Sequence, residues 1–278
     1  MNKIWINGYM MNLGDKGAWK FNKDHTWYNI DKDKDVPEIM VYDVIGDDWG
    51  GVTAKQFIQE LSEIDADEIL VRINSPGGLV YDGLAIYNAL RQFKGTVRTR
   101  VDAVAASIAS VIFMAGDIRE MPESADIMIH KPWSIVVGNA NDMREEAEEL
   151  DRVQNKLEDI YEKQTGIERS DVSAMVDDTT WKSGREAYEL GFATDVLEDA
   201  KIAACIFDLD ILPDIPERHR KMAEATRKRE QEKDYRDGGL PKRDAKAKVS
   251  TASRDDGTKV AETKFIELLN QIGGQNND

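Results

Sequence analysis

The sequence has few residues that could cross-link the chain or anchor it in a membrane. Cys205 is the single cysteine among 278 residues, so no disulfide can form within the chain. It lies in an apolar run, which predicts a core position rather than a nucleophile. No stretch approaches about 18 consecutive apolar residues, and the first residues lack an apolar segment followed by a small-residue cleavage site. These absences predict a cytoplasmic protein without a membrane partner.

Positive charge is also in deficit, because the formal net charge is −16. The deficit is uneven along the chain. Residues 217–278 contain 15 Lys and Arg against 12 Asp and Glu, so residues 1–216 carry a net charge of −19. An acidic body repels nucleic acids and anionic membranes, and neither is an expected partner. We expect the acidic residues to keep a large assembly in solution.

Strand-like and helix-like patterns alternate from Glu38 onward. The apolar runs EIMVYDVIG, EILVRIN, TVRTRVDAV, IREMP and ADIMIH have strand character. Helical patterns lie between successive runs in the first part of this series. One of these helices begins after Thr53, which is its predicted N-cap. This order requires crossover connections, and it predicts an α/β fold with a mainly parallel sheet and flanking helices. Residues 141–165 form a long charged helix whose single apolar stripe must cover a core or contact a partner.

The composition divides the chain into three parts. Residues 1–37 contain aromatic patches among Asp and Lys, and we interpret them as an N-terminal extension of short strands, with a hairpin as one arrangement. Residues 38–216 form the compact domain, which ends where Pro213 and Pro216 interrupt the chain. Residues 217–278 form a charged C-terminal tail with little apolar content, which is typical of a flexible segment.

Two segments of the compact domain contain main-chain features suited to catalysis. The SPGG segment at 75–78 ends a strand, and its glycines let N–H groups face an anion or a carbonyl oxygen. Ser107 follows a strand of small residues at the start of a helix, where the dipole favours a developing negative charge. Taken alone, the SPGG segment is more simply interpreted as a turn, and a helix cap explains Ser107 as well as a nucleophile does. Ser110 fits a nucleophile less well because it lies inside the helix.

His130 is the one histidine within the alternating strands and helices. His25 lies in a polar segment, and His219 follows the end of the compact domain. A serine hydroxyl needs a base near neutral pH, and imidazole has a suitable pKa. For an isolated histidine a structural role is the simpler interpretation. His130, however, closes a strand, and ligands of α/β sheets gather at strand ends.

Together, three motifs resemble the proteolytic subunit of the bacterial Clp protease, the ClpP family of serine peptidases. They are INSPGG at 73–78, VAASIAS around Ser107, and MIHKP at 128–132. The motifs follow the family's order at close to its spacing, and the resemblance covers about residues 38–199. It implies a ClpP/crotonase-like fold in which 141–165 is the handle helix. It also implies homo-oligomeric rings stacked face to face around a closed chamber.

The resemblance assigns a role to each matching residue. Ser107 becomes the nucleophile and His130 the general base. The main-chain N–H groups of Gly78 and Ile108 become the donors of the oxyanion hole. Loss of one such donor typically lowers the rate by about 10²–10³. The resemblance implies no metal and no cofactor.

The sequence departs from the family at the third member of the triad, the acid that orients the base. The family has an aspartate two residues before the aromatic residue, which is Trp181 here, and that position holds Thr179. Asp178, one residue earlier, is our prediction for the acid, and Asp177 is the second candidate. Asp171 is weaker because it would cap a helix.

The predicted function is therefore that of a serine endopeptidase acting on polypeptides inside an oligomeric chamber. An ATP-dependent unfoldase is an expected partner for delivering substrate. The DTTW segment and the charged tail also resemble the phage and prophage branch of the family. That resemblance leads to the hypothesis of head maturation, with capsid or scaffold precursors as substrates.

Two other functions stay open. The absent aspartate at position 179 is compatible with an inactive ClpP-like assembly protein. A crotonase-like acyl-CoA enzyme shares the expected fold and an oxyanion hole, but it needs no serine–histidine pair. The presence of SPGG, Ser107 and His130 in one chain favours peptide hydrolysis over the acyl-CoA enzyme, whereas labelling with an active-site probe would separate it from the assembly protein.

Overall fold

The computed structural model describes residues 2–6, 9–13, 27–46, 53–198 and 212–217, with residues 228, 232, 235–236 and 241–244. The chain divides into two compact units, Met1–Arg220 and Lys221–Asp278. All predicted site residues lie in 53–198. The predictions for Cys205, His25 and His219, and for most of the tail, concern residues outside the described ones.

Strands and helices alternate through most of the first unit. The strands are β1 (Asn2–Ile6), β2 (Tyr9–Leu13), β3 (Tyr28–Asp31), β4 (Glu38–Tyr42), β5 (Glu68–Ser75), β6 (Thr96–Ala106), β7 (Ile118–Pro122), β8 (Asp126–Ile129), β9 (Thr180–Ser183) and β10 (Asp195–Leu197). The helices are α1 (Ala54–Ser62), α2 (Val80–Arg91), α3 (Ile108–Phe113), α4 (Ala140–Thr165), α5 (Arg169–Asp177) and α6 (Gly184–Glu189).

An eight-stranded sheet organises the first unit. Its main path runs in the order β10-β7-β6-β5-β4-β3, and β8 pairs with both β6 and β9. The pairs β3–β4 and β8–β9 are antiparallel, whereas the others in this sheet are parallel. The prediction of an α/β fold with a mainly parallel sheet is confirmed. Strand β3 belongs to this sheet although it lies in the predicted extension, and β1 and β2 form an antiparallel pair.

Helices cover one face of the sheet because alternate strand residues are apolar. Along β5, Ile69, Val71 and Ile73 are fully buried. Glu68, Leu70 and Arg72 alternate with them on the opposite face and are partly exposed. Phe57 of α1 and Ile86 of α2 join the same buried cluster, which extends into α3. This packing holds the carboxyl ends of β5, β6 and β8, where the three motifs lie.

The long helix α4 matches the predicted handle helix closely. The side chain of Asn139 accepts from the N–H groups of Asn141 and Asp142, and Gly166 closes the helix in the left-handed conformation. Strand β9 was not predicted, because three of its four residues are polar and its pairing with β8 comes from tertiary structure. In the described part of the chain, no helix is both long enough and apolar enough to cross a membrane.

Candidate active site

Ser107 lies at the junction between strand β6 and helix α3. Its φ of 54° and ψ of −130° are unusual for a residue with a side chain. Such a conformation costs on the order of 1–3 kcal/mol and persists only where its surroundings hold it. The main-chain N–H of Ser107 donates to the carbonyl oxygen of Met128 at 2.9 Å. The strained junction is therefore tied to the neighbouring strand β8.

His130 directly contacts Ser107. The distance from His130 Nε2 to Ser107 Oγ is 2.8 Å, which is a hydrogen bond. Strands β6 and β8 are parallel neighbours, with Ala106 paired with Met128. Because the two residues follow the carboxyl ends of adjacent strands, the sheet brings them together from 23 positions apart.

Burial governs the charge of the His130 ring. Desolvation lowers the pKa of His130 from its ordinary 6.5 to about 4, because a charged ring loses its hydration there. The imidazole is consequently neutral at pH 7. A neutral ring with Nε2 facing Ser107 can accept the hydroxyl proton.

The two glycines of the SPGG segment have different surroundings. Gly77 has a φ of +97°, and a Cβ added there would lie 2.7 Å from Ser107 Cβ and 2.8 Å from the Ala106 oxygen. Only glycine fits such a close approach. The Gly77 N–H donates to Ser75 Oγ at 3.1 Å, while the Gly77 carbonyl accepts from the Ile45 N–H at 2.8 Å. The turn is therefore anchored on both sides.

Two main-chain N–H groups near Ser107 are left available. Gly78 forms a parallel bridge with Ile45, whose hydrogen bonds are made by Gly77 and Leu79. Ile108 is the first residue of α3, where N–H groups have no acceptor within the helix. Within residues 53–198, neither the Gly78 N–H nor the Ile108 N–H donates to an acceptor. Both are suited to stabilising an oxyanion.

The predicted acid makes no hydrogen bond to the imidazole within the described residues. Asp178 caps the C-terminal end of α5, and within residues 53–198 no hydrogen bond joins a carboxylate to the His130 ring. Asp177 instead pairs with Lys131, with 3.0 Å between Oδ1 and Nζ. Strand β9 pairs Thr180 with Ile129. One further step along this register puts Thr179, at a φ of 52°, opposite His130.

Sequence patterns missed two features around Ser107. The first is the close approach of Gly77 to Ser107. The paired glycines indicate a close approach of the main chain to some group, but the fold is needed to identify that group as Ser107. Ser110 lies inside helix α3, as predicted, and is fully buried. The hydrogen bond that its hydroxyl donates to the Ser107 carbonyl oxygen was not predicted. In the described part of the chain, no cluster of three or more His, Cys, Asp or Glu side chains could hold a metal ion.

Comparisons with known proteins match the region that contains this site. The sequence model of the Clp protease family matches residues 24–200. A protein of Salinibacter ruber, "ATP-dependent Clp protease proteolytic subunit 1", is 29% identical over 163 residues, covering 58% of this chain and 70% of the relative. The "ATP-dependent Clp protease proteolytic subunit" of Chlorella vulgaris is 36% identical over 155 residues, covering 53% of this chain and 77% of the relative.

Proposed function

The chain belongs to the Clp protease family and is a serine endopeptidase, and we propose that Ser107 and His130 carry out its hydrolysis of peptide bonds. The 2.8 Å contact between His130 Nε2 and Ser107 Oγ is the observation that supports these roles. A nucleophile must lie within hydrogen-bond reach of its base, and this pair does so in a single chain.

The proposed reaction has two halves. His130 Nε2 accepts the Ser107 proton while Oγ attacks the carbonyl carbon of the scissile bond. The N–H groups of Gly78 and Ile108 donate to the oxyanion of the tetrahedral intermediate. His130 then protonates the leaving amine, and an acyl-enzyme remains. Water repeats these steps, with His130 as base, to release the acid product and restore Ser107.

Asp178 is the proposed acid of this site. It directly precedes Thr179, the residue that the register of β8 and β9 puts opposite His130. A carboxylate facing the ring would stabilise the imidazolium that forms during the reaction. Asp177 is a weaker choice because Lys131 already binds its carboxylate. A movement of the α5–β9 junction would be needed to bring the Asp178 carboxylate into a hydrogen bond with the ring.

The proposed assembly is a set of homo-oligomeric rings enclosing the active sites. The segment that follows His130 supports this proposal, because Trp133 is 54%, Ile135 53% and Val137 95% exposed. Apolar side chains grouped in this way are typical of interaction surfaces. We propose unfolded or tethered polypeptides as substrates, an ATP-dependent unfoldase as partner, and the cytoplasm as location. Cleavage of a capsid or scaffold precursor is the narrower form of this proposal.

Labelling with a fluorophosphonate probe tests the assignment of the nucleophile. The probe should modify the purified protein, and Ser107→Ala should abolish the modification. Ser62→Ala is a matched control, because Ser62 is exposed and its hydroxyl bonds only within α1. His130→Ala should slow labelling strongly. Undiminished labelling of Ser107→Ala would exclude Ser107 as the nucleophile.

A catalytically weak member of the family, acting mainly in assembly, is the second candidate, favoured by the lack of a carboxylate hydrogen-bonded to the His130 ring within residues 53–198. The same probe separates the two candidates, because a catalytically weak protein would be modified only very slowly even when assembled. For the narrower proposal, the wild-type protein and Ser107→Ala are each incubated with a candidate capsid precursor. A product that requires Ser107, formed without ATP, would support head maturation, and its absence would contradict it.

A further inference from the structure

Helix α4 contacts the strained junction at Ser107 through two buried hydroxyl groups. Ser110 Oγ lies 2.5 Å from the carbonyl oxygen of Ser107 and 2.7 Å from the hydroxyl oxygen of Tyr161. Ser110 is 0% and Tyr161 3% exposed. We propose that Ser110 and Tyr161 are positioning residues, which hold the peptide group between Ser107 and Ile108 in the orientation that the oxyanion hole needs.

The direction of these two hydrogen bonds follows from the number of hydrogens. A hydroxyl group carries one hydrogen, and a carbonyl oxygen can only accept. Ser110 therefore uses its hydrogen to donate to the Ser107 carbonyl. Its oxygen must then accept from Tyr161, which makes Tyr161 the outer donor of the relay. The phenol keeps this hydrogen because burial raises the pKa of Tyr161.

The relay acts on the oxyanion donor because a peptide group is planar. The Ser107 carbonyl and the Ile108 N–H belong to the same trans peptide and point in opposite directions. The Ser110 N–H, at 3.0 Å, and the Ser110 hydroxyl both bind that carbonyl. Fixing the carbonyl from one side consequently fixes the direction of the N–H on the other. Ser107 itself has a strained main chain, which makes external support necessary.

The outer end of the relay is anchored in the body of the domain. Tyr161 is on α4, and its ring lies 5.9 Å from that of Phe192. Near the end of α4, Arg119 Nη2 donates to the carbonyl oxygens of Gln164 at 3.2 Å and Gly191 at 3.0 Å. A displacement of α4 would therefore move Tyr161 and break its hydrogen bond to Ser110, which would loosen the support of the Ser107 carbonyl. This inference rests on the proposed function, since it concerns the same oxyanion hole.

Steady-state kinetics on the full-length protein tests the relay. Ser110→Ala should lower kcat by about 10- to 100-fold with KM nearly unchanged, because the affected interaction forms only in the transition state. The loss is partial because the Ser110 N–H still binds the carbonyl. Tyr161→Phe, which keeps the ring, should lower kcat by up to about tenfold. In the Ser110→Ala background, Tyr161→Phe should lower kcat no further, since both groups act in one relay.

A control variant and a second measurement distinguish positioning of the oxyanion donor by Ser110 from a purely structural role of that residue. Thr99 is fully buried, and its hydroxyl donates to the Phe113 carbonyl at the other end of α3, at 2.9 Å. Thr99→Val should lower the melting temperature while leaving kcat per probe-labelled site unchanged. Ser110→Ala should weaken binding of a peptide boronate, which forms a tetrahedral adduct, about tenfold more than binding of an uncleaved peptide.

The outcomes distinguish the two levels of the proposal. If wild-type protein is labelled by the fluorophosphonate and Ser110→Ala has an unchanged kcat per labelled site, the relay is wrong and the proposed function stands. If Ser110→Ala does not fold, Tyr161→Phe alone decides by the same measure. Wild-type protein that is not labelled removes the proposed function and the relay together.

Discussion

Ser107 and His130 touch one another, yet the supports of the two residues differ. The main chain of Ser107 is held by the Met128 carbonyl on one side and by Ser110 on the other, with Gly77 packed against its Cβ. Among the described residues the His130 ring has one hydrogen bond, to Ser107, and burial lowers its pKa. The nucleophile is thus positioned by the single chain. The base lies in place, but no carboxylate of residues 53–198 is hydrogen-bonded to it to stabilise its charged form.

This difference indicates that the base and the acid depend on assembly with other subunits more than the nucleophile does. The junction at Ser107 comes from β6, β8 and α3, which are in the core of the sheet. Asp178 and Thr179 lie at the α5–β9 junction, where Asp177 pairs with Lys131, two residues before the exposed Trp133. We expect assembly to affect the base and the acid more than the nucleophile. Four predictions test this comparison.

The largest effect is expected for Gly77→Ala. The added Cβ would collide with Ser107 Cβ and the Ala106 oxygen at a positive φ. Hydrolysis should fall by at least about 10²-fold, because small displacements of reacting atoms cost that much. Gly166→Ala is the matched control, with a φ of +75° and no atom within 4 Å. It should lower stability by about 1–2 kcal/mol and leave kcat unchanged. Equal activities would show that Gly77 does not shape the site.

Asp178→Asn tests the proposed acid. It should lower kcat by about tenfold, well below the roughly 10⁴-fold loss seen where a buried aspartate is hydrogen-bonded to its histidine. Asp177→Asn should change kcat by less than about twofold, because it only breaks a half-exposed ion pair with Lys131. If the two variants exchange these results, Asp177 is the acid.

The pH dependence of kcat/KM tests the environment of the base. Burial lowers the pKa of His130 to about 4, so the ring remains a neutral base as the pH falls below 6.5. The acidic limb of the profile should therefore lie below the ordinary pKa of histidine. A nearby carboxylate stabilises the charged ring, so it can only raise the pKa of His130 and move the acidic limb to higher pH. Asp178→Asn should therefore leave the acidic limb at the same pH or move it to lower pH. A wild-type limb at or above pH 6.5 would contradict a ring governed by burial.

The smallest effect is expected for Lys131→Met. This residue follows His130 and pairs with Asp177, but both side chains are about half exposed, at 55% and 50%. The ion pair should contribute no more than about 1 kcal/mol to the free energy of unfolding. Denaturant unfolding and kcat measured on one preparation would check this. A large loss of activity with unchanged stability would instead give Lys131 a part in positioning His130.

Local sequence patterns predicted the elements where packing agrees with local preference. The apolar alternation around Ile69–Ile73 and the small residues before Ser107 located β5 and β6, and the capped, striped pattern of residues 141–165 located α4. Strand β9 was missed because its four residues, of which only Trp181 is apolar, show no periodicity, and its register exists only beside β8. The apolar pattern of residues 84–93 predicts a helix that begins at Leu84, whereas α2 begins at Val80, because its first turn continues directly from the glycine turn.

The sequence by itself determined the order of elements, the mainly parallel sheet and the residue types of the site, because periodicity and motif spacing are local properties of the chain. Tertiary structure decided which of these groups meet. The 2.8 Å contact of Ser107 with His130, the approach of Gly77 and the bond from Tyr161 to Ser110 each join residues distant in sequence. Such contacts depend on sheet register and helix packing, which no local pattern specifies.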